Sequence, residues 1–258
     1  MSSLGSHLPE GYRLLRYDSI GSTNDEAKAL ARAGAADGTL VWAGEQTEGR
    51  GRRGRLWLSP PGNLYVSLIM RPAVAPARAA QLGFVAALAL AEGVGALCGP
   101  SLEIRCKWPN DVLVGGRKLA GILLESEITD NDIIDFVVIG TGANLVSTPS
   151  GVEYPATSLA EQGFHQISPA RLLQAYVRRF DFWARIWRAE GFAPIREAWL
   201  ARAAGLGEEI RVRLEQATLY GRFLDLDDDG ALLLGMENGP RRIAAGEVFP
   251  ASGCPVFG

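Results

Sequence analysis

The segment at residues 49–55 constrains the fold more than any other part of the chain. Arginine fills four of the six positions from 50 to 55, and Gly49, Gly51 and Gly54 separate the arginines. Like charges repel, and glycine loses more backbone freedom on ordering than other residues do, so this segment cannot form part of a core. We therefore expect a loop that is mobile until an anion binds it.

The residue types of this loop suit a small polyanion. Glycine lets a backbone approach a ligand closely, and guanidinium groups match phosphate and carboxylate oxygens two at a time. A solvated basic loop without a ligand is the alternative, because runs of charge are common. The net charge of −3 favours a small anionic ligand over a nucleic acid, since nucleic-acid-binding proteins carry an overall basic field.

Composition narrows the classes of protein further. The 258 residues are 47% apolar and 21% charged, enough for one large globular domain and a small one. The three cysteines lack CxxC spacing, and His7 and His165 lie away from the motifs, which argues against disulfides, a zinc site and a histidine-based triad. We see neither an uncharged apolar run of about 18 residues nor a signal pattern in residues 1–11, so we expect a cytoplasmic protein without a membrane span.

A second informative stretch is KWPNDVLVGGRKLAGILLE at residues 107–125. Pro109 and Asn110 predict a turn, and the paired glycines at 115 and 116 predict a tight hairpin. The apolar run that follows Lys118 predicts a buried strand with this lysine at its mouth. Such a lysine would be held in place for a ligand. The alternative is a strand-end lysine that extends into solvent.

The order of predicted elements favours an α+β fold. Strands and helices do not alternate strictly, so we expect helices packed on a mixed or largely antiparallel sheet. The predicted strands are 12–17, 39–46, 63–70, 103–107, 112–114, 119–128 and 133–140, and the predicted helices are 25–33, 78–98, 168–190 and 194–204. Five short strands between residues 209 and 249 predict a small β-barrel. We place the boundary near Gly205, giving domains of residues 1–204 and 205–258.

Six motifs occur in an order that resembles the biotin protein ligase family, the biotin–[acetyl-CoA-carboxylase] ligases. They are DSIGSTNDEA, GRGRRGRLWLSPPGNLY, KWPNDVLV, RKLAGILLE, VVIGTGANL and YPATSL, and together they extend over nearly the whole chain. The resemblance implies a catalytic domain like that of class II aminoacyl-tRNA synthetases, followed by an SH3-like barrel. Only about eleven residues precede the first predicted strand, so we expect the monofunctional form without an N-terminal DNA-binding domain.

The chemistry that this resemblance implies has two steps. The carboxylate of biotin attacks the α-phosphate of ATP, with Mg²⁺ on the phosphates, and forms biotinyl-5′-AMP. A lysine of a biotin carboxyl carrier protein then attacks the mixed anhydride and releases AMP. Lys118 would hold the carboxylate and the α-phosphate together, and Arg52 would retain the adenylate. Asp111 would orient or deprotonate the acceptor amine, whose pKa is ordinarily about 10.4, unless Asp111 is only a turn residue.

The remaining site residues are assigned in two overlapping groups. Residue chemistry agrees with part of the assignment, because the hydroxyls and N–H groups of a helix start can bind a ligand and a glutamine amide both donates and accepts. If they do not bind a ligand, residues 22–24 are only a helix cap. Trp57 is either an adenine partner or a core anchor. Asn144 is assigned to phosphate or metal. The biotin group is Ser22, Thr23, Asn24, Gln46, Arg50, Gly51, Arg52, Lys118 and Gly121. The ATP and adenylate group is Arg50, Arg52, Arg55, Trp57, Lys107, Asn110, Lys118 and Asn144.

Two alternative functions remain at this point. A lipoate–protein ligase has similar two-step chemistry, but its RRxSGG-type stretch and nearby histidine are missing. A non-catalytic nucleic-acid-binding protein could use the arginine loop, but the net charge and the lack of aromatics among the arginines oppose it. We expect no DNA binding. Dimerisation through a sheet edge stays open.

Overall fold

A seven-stranded mixed sheet forms the larger part of the protein. The computed structural model describes residues 8–251 and 256–257, so His7 and Cys254 lie outside it. The strand order is β1-β2-β3-β7-β6-β5-β4; β1 and β2 are parallel and the other neighbours antiparallel. The predicted mixed sheet is therefore confirmed. The strands are β1 Arg13–Ile20, β2 Thr39–Gln46, β3 Leu64–Met70, β4 Ile104–Lys107, β5 Asp111–Val114, β6 Arg117–Ile128 and β7 Ile134–Ala143.

Five α-helices accompany this sheet within residues 8–251. As predicted, Ser22 caps the first helix by accepting a hydrogen bond from the backbone N–H of Asp25 at 3.4 Å, and Ser168 caps the fourth in the same way. The Pro169 that follows this second cap stands at the first helical position, where its missing N–H costs nothing. The helices are α1 Thr23–Arg32, α2 Pro76–Ala80, α3 Leu82–Cys98, α4 Pro169–Glu190 and α5 Ala193–Leu200.

The helix predicted over residues 78–98 begins earlier and is divided at Gln81. This side chain accepts a hydrogen bond from Trp187 Nε1 at 2.8 Å and donates one to the carbonyl of Asp228 at 3.1 Å. Within the described residues, Pro76–Cys98 is one helical stretch long and apolar enough to span a membrane. Its most apolar window is 78% buried in the protein, as in a core helix.

Alternation along the central strands gives the sheet two different faces. Val41 and Ile69 pack with Ala27 and Ala31 of α1 on one face. Their neighbours Leu40 and Leu68 point the opposite way, into the large core that α3, α4 and α5 cover. The helix α1 is short and leaves much of its side of the sheet uncovered. The candidate site lies in this opening.

A second, antiparallel sheet follows in the chain. Its order is β11-β10-β9-β8-β12, and each predicted strand between residues 209 and 249 has a counterpart in it. Trp108 connects the two sheets by donating a hydrogen bond from Nε1 to the carbonyl of Gly230 at 3.0 Å. The strands are β8 Glu209–Arg213, β9 Thr218–Leu226, β10 Leu232–Met236, β11 Gly239–Ile243 and β12 Glu247–Pro250.

Candidate active site

One cavity of about 490 Å³ collects the side chains that the sequence assigned to a site. It lies between the start of α1, strands β6 and β7, the arginine loop and the second sheet. All fifteen assigned residues line it, although they come from separate parts of the chain. They are Ser22, Thr23, Asn24, Gln46, Arg50, Gly51, Arg52, Arg55, Trp57, Lys107, Asn110, Asp111, Lys118, Gly121 and Asn144.

Glycines make the floor of this cavity flat. Gly121 of β6 and Gly142 of β7 are opposite each other in the ladder, and the indole of Trp57 rests on both. A Cβ at Gly142 would lie 2.6 Å from this ring, so the contact requires glycine. Trp57 therefore anchors the loop to the sheet and also forms a wall of the cavity. Its Nε1 is buried without a hydrogen-bond partner among the described residues.

The end of the cavity near α1 is polar and mostly uncharged. Thr23 directs its backbone N–H and its hydroxyl to Oε1 of Gln46, at 2.8 and 3.0 Å. The amide nitrogen of Gln46 donates to Ser59 Oγ at 2.9 Å, so its partners fix the direction of the amide. Ser67, which the sequence did not suggest, lies behind Thr23 and is fully buried.

Arg50 is held at the rim of this polar end by two carboxylates. Its guanidinium makes a bidentate contact with Asp25, and its Nη2 also donates a hydrogen bond to Oε2 of Glu125 at 2.9 Å. The hydrogen bonds that Arg50 donates to Asp25 raise the pKa of Arg50, and those that it donates to Glu125 add to the effect despite partial burial. In this arrangement Arg50 orders the rim of the polar end.

A triad of charges occupies the middle of the cavity, with Asp111 and Lys107 buried and Lys118 partly exposed. Asp111 lies 2.6 Å from Lys118 Nζ and 2.8 Å from Lys107 Nζ. Burial alone would raise the pKa of Asp111, but the two ammonium groups outweigh burial and lower it to about 2. Burial lowers the pKa of Lys107, which Asp111 opposes. The carboxylate is thus a fixed counter-charge, and it aims Lys118 over Gly121.

Arg52 differs from Arg50 and Arg55 because no described carboxylate lies within ion-pair distance of it. Its contacts are weak: Nη1 lies 3.4 Å from both Asn110 Oδ1 and the carbonyl of Gly246. Burial lowers the pKa of Arg52, with Asp111 acting in the opposite direction. Within ion-pair distance, the carboxylate described in the cluster of Arg52, Lys107 and Lys118 is Asp111, so three cations and one anion give this cluster a local charge of +2. Glu247 also lines the cavity and acts on Arg52 and Lys107 from further away, but it is paired with Arg55 and Arg213.

The second sheet closes one side of the cavity through an ion-pair network. Arg55 contacts Glu247 of β12 at 2.7 Å, and Arg213 of β8 contacts the same carboxylate. Arg213 also pairs with Glu153 in the loop after β7, at 2.6 Å. The arginine loop, the 147–156 loop and the second sheet are therefore tied together at the mouth of the cavity.

The two assigned asparagines have different surroundings. Asn110 donates from Nδ2 to the carbonyl of Ile122, which leaves Oδ1 directed at Arg52. Asn144 is buried and donates to the carbonyl of Thr157 at 3.2 Å. Its amide nitrogen is therefore engaged within the protein.

Sequence reasoning missed several lining residues. Glu153, Glu247 and Phe249 line the cavity but belong to unremarkable stretches, and the last two lie about 190 residues from the arginine loop. Tyr154 also lines the cavity; it begins the motif YPATSL but was not assigned to the site. Gly140 and Gly142 belong to the motif VVIGTGANL, so glycine spacing offered a signal for them. The arginine loop also contains a 3₁₀ turn, Arg52–Gly54, that the charge pattern did not predict.

Comparison with known proteins adds independent information. Residues 17–144 match the biotin/lipoate A/B protein ligase family, and residues 205–249 match the biotin protein ligase C-terminal domain. The chain is 45% identical over 234 residues to the biotin–[acetyl-CoA-carboxylase] ligase of Paracoccus denitrificans, covering 88% of this chain and 96% of that protein. It is 36% identical to the bifunctional ligase/repressor BirA of Bacillus subtilis, over 92% of this chain and 74% of that one.

A solved structure agrees over a similar extent. The biotin protein ligase from Aquifex aeolicus in complex with biotin and ATP superposes with a TM-score of 0.77 at 27% identity. The match covers 92% of this chain and 97% of that chain.

Proposed function

This chain belongs to the biotin protein ligase family, and from that premise we propose that it joins biotin to a lysine of a carrier protein in two steps. In the first step a carboxylate oxygen of biotin attacks the α-phosphate of ATP, which forms biotinyl-5′-AMP and releases pyrophosphate. In the second step the neutral ε-amine of the carrier lysine attacks the acyl carbon, and AMP leaves. The enzyme is an ATP-dependent biotin–[acetyl-CoA-carboxylase] ligase.

One observation carries the proposal: a single cavity has an uncharged hydrogen-bonding end and an end with a local charge of +2. A cyclic urea is neutral and needs both donors and acceptors, which Thr23, Asn24 and Gln46 supply. A carboxylate next to a triphosphate needs excess positive charge. The cavity offers both environments at once, over the length of one small molecule.

Lys118 is the group that we assign to the reacting atoms of the first step. Two like charges 4 Å apart repel by about 4 kcal/mol at an effective dielectric constant of 20, so each carboxylate–phosphate approach needs compensation. Asp111 holds the ammonium of Lys118 in place without a change of geometry during the reaction. Preorganised charge of this kind lowers the barrier because the protein does not have to reorient.

Asp111 supports the second step by orientation in this scheme. A carboxylate with a pKa of about 2 is a weak base towards an ammonium whose ordinary pKa is about 10.4. We therefore assign Asp111 to holding Lys107 and Lys118 and to attracting the incoming ammonium, whose proton passes to solvent before attack. Arg52, which is partly buried and lacks a carboxylate partner among the described residues, is assigned to retention of the adenylate.

Several finer assignments belong to the same proposal. We assign the larger part a class II synthetase-like fold and the second sheet an SH3-like barrel, with a domain boundary near Gly205. No group of three or more potential metal-binding side chains occurs in the described part of the chain, so Mg²⁺ would arrive on the phosphates of ATP, with Asn144 nearby. The partner is a carboxylase biotin carrier, and we place the enzyme in the cytoplasm.

Neither alternative function is supported. Two relatives with high coverage are named biotin–[acetyl-CoA-carboxylase] ligases and a third a bifunctional ligase/repressor, so neither a lipoate ligase nor a non-catalytic nucleic-acid-binding protein fits them. Part of the arginine charge is also engaged, because Arg50 and Arg55 pair with carboxylates of the same chain.

ATP–pyrophosphate exchange tests the proposal without a carrier. The purified protein is assayed with Mg²⁺ and with biotin, with lipoate, or with neither acid. Exchange that depends on biotin alone is the expected result. Exchange with lipoate would reassign the substrate, and no exchange with either acid from a folded sample would contradict the adenylation step.

A further inference from the structure

Glu125 of β6 stands behind the polar end of the cavity and contacts three side chains. Its carboxylate accepts hydrogen bonds from Asn24 Nδ2 at 2.7 Å, from Lys28 Nζ at 2.9 Å and from Arg50 Nη2 at 2.9 Å. Glu125 does not line the cavity itself, whereas Asn24 and Arg50 do. It can therefore influence a ligand only through its neighbours.

We propose that Glu125 is a positioning residue for ring recognition: it fixes the direction of the Asn24 amide, which makes the Thr23 hydroxyl oxygen a hydrogen-bond acceptor for the ligand. The inference rests on the proposed function, because it takes a cyclic urea as the occupant of this end of the cavity. Three steps link Glu125 to the ligand: the direction of one amide, the position of one proton, and the hydrogen bonds that the ligand needs.

The first step is the direction of the Asn24 amide. An ionised carboxylate only accepts hydrogen bonds, so the nitrogen of Asn24 must face Glu125 and the oxygen must face Ser67. The amide also lies flat against β7, because a Cβ at Gly140 would lie 2.2 Å from its oxygen. Burial favours the neutral acid, but the hydrogen bonds from Asn24, Lys28 and Arg50 outweigh it and lower the pKa of Glu125.

The second step is the proton of the Ser67 hydroxyl. Ser67 Oγ lies 2.6 Å from Asn24 Oδ1 and 2.8 Å from Thr23 Oγ1, but a hydroxyl has one proton to donate. The oxygen of Asn24 cannot donate, so this contact requires the proton of Ser67. With a reversed amide, Asn24 would donate to Ser67, and the serine proton would turn to Thr23 Oγ1 instead.

The third step is what the ligand needs. The two N–H groups of a cyclic urea each require an acceptor when the ring is buried, and an unpaired buried donor is costly. Thr23 lines the cavity, and its own proton has two acceptors, Ser67 Oγ at 2.8 Å and Gln46 Oε1 at 3.0 Å. Once Ser67 has donated its proton to Asn24, the short contact between the two hydroxyl oxygens takes the proton of Thr23, and Gln46 keeps the backbone N–H of Thr23. With the serine proton on Asn24, the lone pairs of Thr23 Oγ1 stay open to a ligand N–H. Reversal of the amide would occupy one of them.

The test compares four variants by steady-state ATP–pyrophosphate exchange. Glu125→Gln removes the fixed acceptor while keeping the shape. Asn24→Asp combined with Glu125→Gln exchanges the amide and the carboxylate, so position 24 again accepts from Ser67 and position 125 can donate to it. Asn24→Asp alone sets two carboxylates against each other.

Glu127→Gln is the matched control. Glu127 lies two residues further along β6 and also binds α1, by accepting a hydrogen bond from Arg32 Nε at 2.7 Å, but it does not contact Asn24. Losing it removes one ion pair between α1 and the sheet, although this pair is more exposed, with Glu127 39% exposed against 25% for Glu125. A merely structural effect of loosening α1 would therefore appear in this control in weaker form.

The expected result is a change in KM for biotin and not in KM for ATP. Glu125→Gln should raise KM for biotin about tenfold or more, which corresponds to about 1.4 kcal/mol, while KM for ATP and kcat stay within about twofold. The exchanged double variant should have a lower KM for biotin than either single variant, because contacting residues couple. Glu127→Gln should match the wild type.

The possible failures are distinguishable. If the wild type shows no biotin-dependent exchange, the proposed function is wrong. If the wild type exchanges normally but Glu125→Gln behaves like it, or like Glu127→Gln, the positioning role is overturned while the function stands. Additive effects in the double variant would also overturn it. Should Glu125→Gln fail to fold, the comparison of Asn24→Asp with the double variant decides.

Discussion

Replacing Asp111 with asparagine tests whether one carboxylate holds the two lysines of the site together. Asp111 and Lys107 are 6% and 4% exposed, and Asp111 is the carboxylate that both Lys107 and Lys118 contact. The variant Asp111→Asn keeps the shape of the side chain but leaves two ammonium groups near each other without a counter-charge. We expect a large loss of stability and a nearly complete loss of adenylation.

The size of the stability loss follows from two independent estimates. Removing one partner of a buried ion pair costs about 3–5 kcal/mol, because the remaining charge stays buried. Lowering the pKa of Asp111 from 3.8 to about 2 corresponds to about 2 kcal/mol at 1.36 kcal/mol per unit. We therefore expect the free energy of unfolding to fall by about 2–5 kcal/mol. The Tm should fall by about 2–4 °C for each kcal/mol that is lost.

The pH dependence of this effect has a definite sign. The folded pKa of Asp111 is lowered, so its contribution to stability is present above the unfolded value near 3.8 and is lost as the pH falls through about 2. The difference between wild type and Asp111→Asn should thus be constant near neutral pH. It should shrink as the pH falls from about 4 towards 2.

Urea denaturation of both proteins from pH 7 downwards, followed by circular dichroism, measures this difference. Glu153→Gln is the control, since it removes a carboxylate from an exposed ion pair with Arg213, which is worth about 0–1 kcal/mol. A loss below about 0.5 kcal/mol for Asp111→Asn, or one that equals the control, would refute the reasoning about the triad of charges.

Three further predictions concern the lid and its attachments. Arg52→Gly should form the adenylate but release it at least about tenfold faster, because an interaction with a charged group worth about 1.4 kcal/mol or more is lost; equal release rates of pre-formed labelled adenylate would remove Arg52 from that role. Arg213→Gln should raise KM for ATP severalfold by freeing the loop and sheet that it joins, whereas Arg222→Gln, which breaks an exposed pair on the adjacent strand, should not. Gly142→Ala should cost about 1–3 kcal/mol and raise both KM values, because the new methyl displaces Trp57; unchanged kinetics would show that the ring tolerates the shift.

Local sequence signals predicted most elements because the forces behind them are local. Ser22 and Ser168 stand where a helix start needs a side-chain acceptor, and both cap helices as expected. The two glycines at 115 and 116 adopt positive φ angles of 52° and 70° in the predicted hairpin turn. The division of helix 78–98 at Gln81 was missed because the partners of this side chain, Trp187 and Asp228, lie far away in the chain.

The residues of the candidate site were predictable to the extent that they belong to motifs. All fifteen assigned residues line one cavity, so the motifs do converge in space. Their individual roles in binding and catalysis stay predictions, and the geometry adds what the motifs could not state. Arg50 is engaged by Asp25 and Glu125, Arg55 by Glu247, and only Arg52 faces the cavity without a described carboxylate.

The sequence by itself determined the family, the mixed sheet with its helices and fifteen of the residues that line the cavity. These follow from periodicity, capping and turn chemistry, and from motifs that are each contiguous in the chain. The tertiary structure alone decided which of the cations keep their charge available and which way the amides point. The physical reason is that both properties depend on partners such as Glu125 and Glu247, which folding brings to Asn24, Arg50 and Arg55 across about 75 to 190 residues.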